Sequence, residues 1–320
     1  MRLAASAVFV VILGAPFTAA AQDYPAQPVR VVIGTAGGGS SDTVGRVIAD
    51  RLRERLGHPF VVDNRPGAGQ MIGAEAVARA VPDGYTLGFI GGTYTTSVAM
   101  RAKLPFDPVN DLVGVARAGE GAFMLCVHPS VPAKTTKELI ALARARPGQM
   151  NFASAGTCRI THLVSEQFMS MANIKVVHVP YKAGPPAATD LVGGHVEMMI
   201  GSLPLLKHHA DAGRIRALAV TSAKRFKLAP NLPTIAETGV PGYESMQWWG
   251  MIAPAKVPAA IVTKLNREIN AGLSTSEIVS RLAAEGAVPS ELTAEAFTAS
   301  MRAEIDRWKK IVQQLKLPQQ

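Results

Sequence analysis

A run of glycines followed by hydroxyl side chains is the first segment with the residue types of an anion site. Gly37–Gly39 precede Ser40, Ser41 and Asp42, between an apolar run typical of a strand and an amphipathic helical pattern. Glycine lets backbone N–H groups approach a ligand closely, and a helix start carries about half a positive charge. The segment therefore predicts an anion site, with a flexible turn capped by serine as the alternative. The lysine of a Walker loop is absent, which argues against a nucleoside triphosphate.

A second glycine-rich segment, "NRPGAGQMIGAEAVARA", covers residues 64–80. Its Gly67, Gly69 and Gly73 are spaced one residue wider than a dinucleotide-binding fingerprint, and the segment follows the second strand-like run instead of the first. A structural turn is therefore the favoured interpretation, and no nicotinamide site is predicted.

The third segment of interest is "SAGTCRITHLVSEQF", residues 154–168, again between a strand pattern and a helix pattern. Ser154, Gly156 and Thr157 offer hydroxyl and backbone donors at this helix start. Cys158 and His162 lie four residues apart, so they share a helix face and suggest a Cys/His nucleophile pair. No third group that would orient the base is identifiable, and Ser154 lacks the first glycine of a nucleophile elbow. A donor site is favoured over a catalytic one.

The segments that must position these loops alternate between strand and helix patterns. Short apolar, partly β-branched runs cover residues 29–34, 59–64, 85–90, 122–129, 150–155, 176–181, 196–201 and 215–222. Segments of helical periodicity separate most of them, which predicts parallel α/β sheets. Such sheets bind ligands at the carboxyl ends of their strands, where the three loops would lie.

The last third of the chain has a different pattern. From Pro258 to Leu317 it is helical almost throughout, in three segments broken near Gly272 and over residues 286–290. A strand over residues 247–253 is predicted to return the chain to the first sheet. We therefore expect two α/β lobes, with the C-terminal helices packed on lobe one and a cleft that closes by a hinge.

The expected lobe boundaries follow from that return strand. Lobe one comprises residues 22–122 and 236–320, and lobe two comprises residues 123–235. Residues 1–21 read as a signal peptide, with Arg2, an apolar stretch from Leu3 to Leu13 and small residues before Gln22. We expect a cleaved signal and a periplasmic mature protein.

Charge and cysteine content limit the classes of function. The 33 Lys and Arg residues exceed the 24 Asp and Glu residues, giving a net charge of +9, which suits an anionic ligand. The basic residues are spread over helices without interleaved aromatic residues, so nucleic-acid binding is not predicted. Cys126 and Cys158 could form one disulfide in an oxidising compartment. We expect no metal and no cofactor.

Several phrases, in one order along the chain, carry a family resemblance. They are "YPAQPVRVVIG", "GGSSDTVGRVIADRL", "VVDNRPGAGQMIGAEAVARAVPDGYTLGF", "LPFDPVNDL", "NFASAG", "VPYKAGPPAATDLVGGHVEMMI", "LAVTSAKR" and "PTIAETGVPGYE". Together they resemble the Bug family, the periplasmic solute-binding receptors of tripartite tricarboxylate transporters, over residues 24–317. The resemblance implies a two-lobed α/β periplasmic-binding-protein fold of the type II-like, Venus flytrap kind. It also implies closure on a small carboxylate that is delivered to membrane subunits.

The resemblance implies where the carboxylate is held, partly through ordered waters. The first glycine loop and the loop–helix junction of lobe two are the main regions, with "GGTYTTS" at residues 91–97 as a third. The expected ligand-binding residues are Gly38, Gly39, Ser40, Ser41, Asp42, Thr93, Thr95, Thr96, Ser154, Ala155, Gly156, Thr157, His162, Gly201 and Ser202.

Two departures from the family pattern bear on the ligand. Ala36 and Gly37 stand where the family usually has two prolines, and Gly201 stands where it often has Asp. Loss of these side chains implies a wider cleft, and loss of the carboxylate leaves nothing there to pair with an amine. We expect a bulky or ring-bearing carboxylate without an ammonium group.

The function expected from the sequence is therefore that of an extracytoplasmic solute-binding protein, monomeric and without enzymatic activity. Its partners would be a small organic carboxylate and the membrane subunits of a tripartite transporter. Two alternatives stay open at this point: a secreted hydrolase or transferase that uses Cys158 or Ser154, and a ligand-sensing receptor for a signalling partner.

Overall fold

The computed structural model describes residues 24–319, and the expected signal peptide lies outside them. The strands of this part of the chain are β1 (Val29–Ile33), β2 (Phe60–Asn64), β3 (Thr86–Gly91), β4 (Leu112–Val127), β5 (Asn151–Ser154), β6 (Val177–Pro180), β7 (Met198–Ser202), β8 (Arg216–Val220), β9 (Met246–Pro254) and β10 (Val288–Pro289). All eight predicted strand segments and the predicted return strand are present.

Helices follow most of the strands. They are α1 (Ser40–Leu56), α2 (Met71–Ala78), α3 (Thr93–Ala99), α4 (Thr136–Ala145), α5 (Ile160–Ala172), α6 (Gly184–Val192), α7 (Leu203–Asp211), α8 (Ile235–Thr238), α9 (Ala259–Leu273), α10 (Ser276–Ala284) and α11 (Ala294–Gln314). Among the described residues, no helix combines the length and the apolar character that crossing a membrane requires.

Strand pairing divides the fold into two lobes. The strand order is β2-β1-β3-β9-β4-β7-β5-β6, and β8 and β10 also pair with β4. The first part of β4, Leu112–Ala122, pairs with β9, whereas its last part, Phe123–Val127, pairs with β7. We call the part built on β1, β2, β3, β9 and the first part of β4 lobe one, and the part built on β5 to β8 lobe two.

Burial of one helix face explains how the first loop is anchored. Helix α1 buries Val44, Ile48 and Leu52 against the sheet of lobe one, the face that the sequence periodicity predicts. The helix ends at Gly57, whose φ of 73° lies in the left-handed region that glycine adopts without a Cβ penalty. In lobe two, α5 likewise buries Leu163 and Phe168.

The C-terminal helices pack mainly on lobe one, as predicted, and the last of them reaches further. Helices α9 and α10 join the apolar cluster around α1. In α11, Phe297 and Ile305 pack within lobe one, while Trp308 and Val312 belong to the apolar cluster of lobe two. Helix α11 therefore contacts both lobes. The residue boundaries proposed above for the lobes stay a prediction.

Candidate ligand-binding site between the lobes

The first glycine loop leaves the start of α1 without a side-chain cap. Gly39 occupies the N-cap position with φ of −77° and ψ of 159°, and no side chain accepts a hydrogen bond from the first turn. Gly38 has φ of 81°, and a Cβ atom placed on it would meet nothing within 4 Å. The loop is thus open, with donors of the first helical turn free of a capping side chain.

Asp42 shapes this loop, and its expected contact with the ligand stays a prediction. The buried carboxylate accepts hydrogen bonds from the Gly38 N–H at 2.9 Å, from Arg46 Nε at 3.0 Å and from Asn64 Nδ2 at 2.8 Å. Burial opposes ionisation, but these bonds outweigh it and lower the pKa of Asp42. Its charge is therefore engaged within lobe one, and it holds the glycine loop in place.

The start of α3, which follows β3 in lobe one, contacts lobe two. The Thr96 hydroxyl lies 3.0 Å from the carbonyl oxygens of both Thr93 and Cys158, the latter in lobe two. Thr95 is wholly buried, and its hydroxyl lies 2.8 Å from the carbonyl oxygen of Gly92 and 3.1 Å from Glu304 Oε2 on α11. The Thr95 hydroxyl is therefore directed to α11, and the expected contact of Thr95 with the ligand stays a prediction.

Two consecutive glycines bring the starts of α1 and α5 together. A Cβ atom placed on Gly91 would lie 3.3 Å from Ser41 Oγ, in the first turn of α1. One placed on Gly92 would lie 2.5 Å from Ile160 Cδ1, the first residue of α5. The Gln247 side chain, on β9, lies beside both glycines. The starts of α1 and α5, one from each lobe, therefore both lie near this pair of glycines.

The loop that precedes α5 is held by its own side chains. The Gly156 N–H donates to Ser154 Oγ at 3.2 Å, and the Ala155 N–H donates to Thr161 Oγ1 at 3.0 Å. Thr157 is exposed. Arg159 occupies the N-cap position of α5 and provides no side-chain cap. As at α1, the first turn of α5 lacks a capping side chain.

His178, which the sequence analysis missed, supports this loop from β6. Its Nε2 lies 2.7 Å from Ser154 Oγ, and its ring stacks on His162 with centroids 4.0 Å apart and on Phe152 at 4.7 Å. Burial, and then the nearby His162, lower the pKa of His178 to about 4. The imidazole is therefore neutral at pH 7. The pairing of Phe152 with His178 across β5 and β6 creates this contact, and no local sequence pattern reveals it.

The Cys158 and His162 side chains do not form a nucleophile pair. The Cys158 backbone N–H donates to His162 Nδ1 at 3.4 Å, and His162 Nε2 lies 3.5 Å from Glu166 Oε1. Burial raises the pKa of the Cys158 thiol, which lowers the thiolate fraction. Cys126 and Cys158 are both free and buried, so the possible disulfide is absent.

The space beside Gly201 is filled, which corrects the expectation that this glycine widens the cleft. A Cβ atom there would lie 2.9 Å from both Leu206 Cδ1 and Met199 Cε, which belong to an apolar cluster of lobe two. Ser202 is exposed at the start of α7. Gly37, which belongs to the other departure from the family pattern, does have open space beside it. The nearest atom to its Cβ position is Asp42 Oδ2 at 4.0 Å.

Comparisons with known proteins show the family to which this chain belongs. A family model described as "Tripartite tricarboxylate transporter family receptor" matches residues 44–317. Protein BugT of Bordetella pertussis is 34% identical over 314 residues, which are 98% of this chain and 96% of BugT.

Two solved structures of similar proteins have ligands in their descriptions. R. palustris Rpa4515 with adipate has a TM-score of 0.80 and 36% identity, covering 91% of this chain and 98% of that one. MatC (Rpa3494) from Rhodopseudomonas palustris with bound malate has a TM-score of 0.77 and 30% identity, covering 90% of this chain and all of that one, at 100%.

Proposed function

We propose that this chain, which belongs to the tripartite tricarboxylate transporter receptor family, captures a small organic carboxylate between its lobes and delivers it to membrane subunits. The observation that carries the proposal is that two uncapped helix starts, one from each lobe, both lie near Gly91 and Gly92. Backbone N–H groups from α1 and α5 can then bind the same anion from both lobes. A ligand bound in this way favours the closed arrangement.

The charges around the cleft support an acid without an ammonium group. The Asp42 carboxylate already accepts hydrogen bonds from Arg46 and Asn64. Glu166 Oε1 lies 3.5 Å from His162 Nε2. An ammonium group would compete with Arg46 and Asn64 for the Asp42 carboxylate. Arg159 is exposed beside Gly156 and forms no ion pair with another residue in the described part of the chain. Relatives described with adipate and with malate support a carboxylate as the ligand.

The family is one of receptors, and the site supports binding without chemistry in this chain as well. Ser154 is wholly buried and bonded to His178, while the Cys158 thiol has a raised pKa. A binding site needs complementarity to the ground state of its ligand, which the helix starts supply, whereas catalysis needs groups that act in the transition state. We propose that the chain acts in the periplasm as a monomer after removal of residues 1–21.

Substitution of Gly39 by Asp tests the anion site without unfolding it. The N-cap geometry of Gly39 suits Asp, whose Cβ position is no closer than 3.4 Å to any neighbour. The new carboxylate should cap α1 and stabilise it by a few tenths of a kcal/mol, but it occupies the free N–H groups and repels an anion. In a thermal-shift panel of carboxylates and amino acids, the wild type should gain about 2.7 kcal/mol at a hundredfold excess of ligand over Kd. Gly39→Asp should gain nothing.

Thr275→Asp is the matched control, because it places the same charge at the N-cap of α10. Thr275 bonds to Gly272, which lies beside Arg51 in the C-terminal half of α1 and not beside the glycine loop. It should keep the full ligand shift. Mass spectrometry of native protein should also recover an intact small acid. If only amino acids shift the transition, or if the bound acid is chemically converted on incubation, the proposed function is wrong.

A further inference from the structure

A cavity lies among the three elements that run from one lobe to the other, which are β4, the segment that leads into β9, and α11. Its volume is about 380 Å³, and residues of all three elements line it. The charged residues of its lining are Arg117, Glu120, Glu244, Glu304 and Arg307. Motion between the lobes bends or rotates each of these elements, so the contacts around the cavity belong to the hinge.

Glu304 is a largely buried carboxyl group in this lining. Its side chain, on α11, is 12% exposed. Its Oε2 accepts a hydrogen bond from Trp248 Nε1 of β9 at 2.6 Å, and its Oε1 accepts one from Arg307 of α11 at 3.3 Å. Glu120, by contrast, pairs with Arg117 of its own strand β4. Glu304 therefore joins α11 to the sheet of lobe one within the hinge.

The hydroxyl group of Thr95, on α3, makes two contacts that a single proton cannot satisfy. Thr95 Oγ1 lies 2.8 Å from the Gly92 carbonyl oxygen and 3.1 Å from Glu304 Oε2. A hydroxyl group has one proton to donate, so an ionised Glu304 leaves one of these two oxygens facing Thr95 without a proton between them. A protonated Glu304 removes the conflict, because its O–H donates to Thr95 Oγ1 and Thr95 donates to the Gly92 carbonyl.

The surroundings of Glu304 also favour its neutral form. Burial, the largest influence, raises the pKa of Glu304 and outweighs Arg307 and the hydrogen bonds to the carboxylate, which lower the pKa. Arg307 is 39% exposed and also donates to the Glu244 carbonyl at 3.3 Å, so water and a second acceptor weaken its pull on Glu304. Arg117 and Glu120 pair with each other, and the Glu244 side chain is exposed. Neither α3 nor β9 contains an acidic or basic residue.

We propose that Glu304 is a neutral acid that donates its proton to Thr95, and that loss of this proton is a pH-dependent switch in the hinge that weakens ligand binding. Once ionised, Glu304 draws the Thr95 proton away from the Gly92 carbonyl in the first turn of α3. The next residue, Thr96, has its hydroxyl 3.0 Å from the Cys158 carbonyl oxygen of lobe two. The change therefore reaches a contact between the lobes. The effect on affinity rests on the proposed function, whereas the proton on Glu304 does not.

Infrared difference spectroscopy and calorimetry of Glu304→Gln test the switch. Wild type minus variant should show the carbonyl band of a protonated carboxylic acid at pH 6, where exposed glutamates with a pKa of about 4.3 are ionised. The band should disappear as the pH rises to 9. The wild type should bind adipate or malate, found with two relatives, about five- to tenfold more weakly at pH 9 than at pH 6. Glu304→Gln should bind equally at both, because its amide remains a neutral donor to Thr95.

Glu120→Gln is the matched control, because it makes the same change in a second carboxylate of the cavity that already pairs with Arg117. It should keep the infrared band and the pH dependence of affinity. Urea unfolding without ligand shows that both variants fold. Relative to Glu304→Gln, the wild type should lose stability between pH 6 and pH 9, since its folded state binds the proton more tightly than its unfolded state.

Two results overturn the inference while the proposed function stands: absence of the acid band at pH 6, and equal pH profiles of affinity for wild type and Glu304→Gln. If the wild type binds neither acid nor any other carboxylate at pH 6, the proposed function is wrong. The infrared band and the urea profiles then decide by themselves whether Glu304 holds the proton.

Discussion

At the scale of single residues, the site depends on backbone groups that side chains hold in position. Asp42 fixes the glycine loop, and Ser154 with His178 fixes the loop before α5. Cys158 stands out because its φ of 65° lies in the left-handed region, although it is not a glycine. Its backbone bonds to Thr96 and His162 keep that conformation. The described hydrogen bonds of Cys158 are all made by its backbone.

Because the backbone at Cys158 is left-handed, we expect a glycine variant to be more stable there than an alanine variant, the reverse of the usual order of stability in a helix. Within a helix, glycine is less stable than alanine by about 1 kcal/mol. At position 158, alanine retains the Cβ penalty of about 1 to 2 kcal/mol, so Cys158→Gly should be more stable to urea than Cys158→Ala. Ala141→Gly, at an exposed position of α4, is the control and should lose stability. A Cys158→Gly protein less stable than Cys158→Ala would contradict this account.

The thiol itself should contribute little to ligand binding. Cys158 Sγ is not a hydrogen-bond partner of His162, which accepts from the backbone N–H of residue 158. Cys158→Ser should therefore bind the ligand within about tenfold of the wild type, or roughly 1.4 kcal/mol, by calorimetry. Complete loss of binding would show that the sulfur has a direct role.

His178 should make the stability of the fold depend on pH. Its pKa falls from 6.5 in the unfolded chain to about 4 in the folded one, so the unfolded state binds more protons between these values. Stability should thus be complete above pH 6.5 and decline as the pH falls toward 4. His178→Gln, which keeps an amide nitrogen near Ser154, should show a smaller decline in urea midpoint. Parallel pH profiles for both proteins would exclude His178 as the source.

At the scale of elements, the sequence predicts the strand–helix units well because each buries a periodic apolar face. The first part of β4 was missed, since Gly114, Gly119 and Gly121 interrupt its strand pattern. The structure explains these glycines: a Cβ on Gly114 would lie 2.6 Å from Phe297, and one on Gly121 would lie 2.6 Å from the Gly286 carbonyl. They allow α11 and the β10 region to pack closely on β4.

The candidate site also has one part that the sequence predicts and another that it does not. The two helix starts follow from local sequence, because glycine and hydroxyl residues lie between strand and helix patterns. His178 could not be predicted, since its contact with Ser154 depends on the pairing of two strands that are distant along the chain. The bond from Thr95 to α11 could not be predicted for a related reason, because the local motif carries no information about α11.

Contact between α3 and α5 should be sensitive to one methyl group. Gly92 has φ of −53°, which alanine adopts freely, so Gly92→Ala acts through close contacts of its Cβ atom, chiefly with Ile160 Cδ1 at 2.5 Å and then with Gln247 Oε1 at 3.1 Å. Overpacking of this kind costs about 1 to 3 kcal/mol, and ligand affinity should fall as the helix starts move apart. Ile160→Ala in the same chain should restore part of the affinity, because it removes the colliding atom.

The double-mutant cycle supplies the control for that prediction. Ile160→Ala alone should lower stability by about 2 to 5 kcal/mol through loss of buried surface, with less effect on affinity than Gly92→Ala. Additive losses of affinity in the double variant would mean that Gly92 and Ile160 are not coupled across the cleft.

At the scale of the whole molecule, three elements connect the lobes. Strand β4 contributes to both sheets, the segment before β9 returns to lobe one, and α11 packs Ile305 on one lobe and Trp308 on the other. Motion between the lobes must therefore bend the strands and rotate lobe two about the last turns of α11. These connections favour one closing motion of the two lobes over independent reorientation of each lobe.

Closure should be visible in solution scattering. Addition of a saturating carboxylate should decrease the radius of gyration of the wild type, because the helix starts of α1 and α5 are drawn onto one anion. Gly39→Asp, at the same ligand concentration, should keep the radius of the free protein, since its added carboxylate repels the ligand from α1. Thr275→Asp should contract like the wild type. An unchanged radius in wild-type protein that calorimetry shows to be saturated would mean that the ligand enters without hinge closure, and that the lobes already have their bound arrangement.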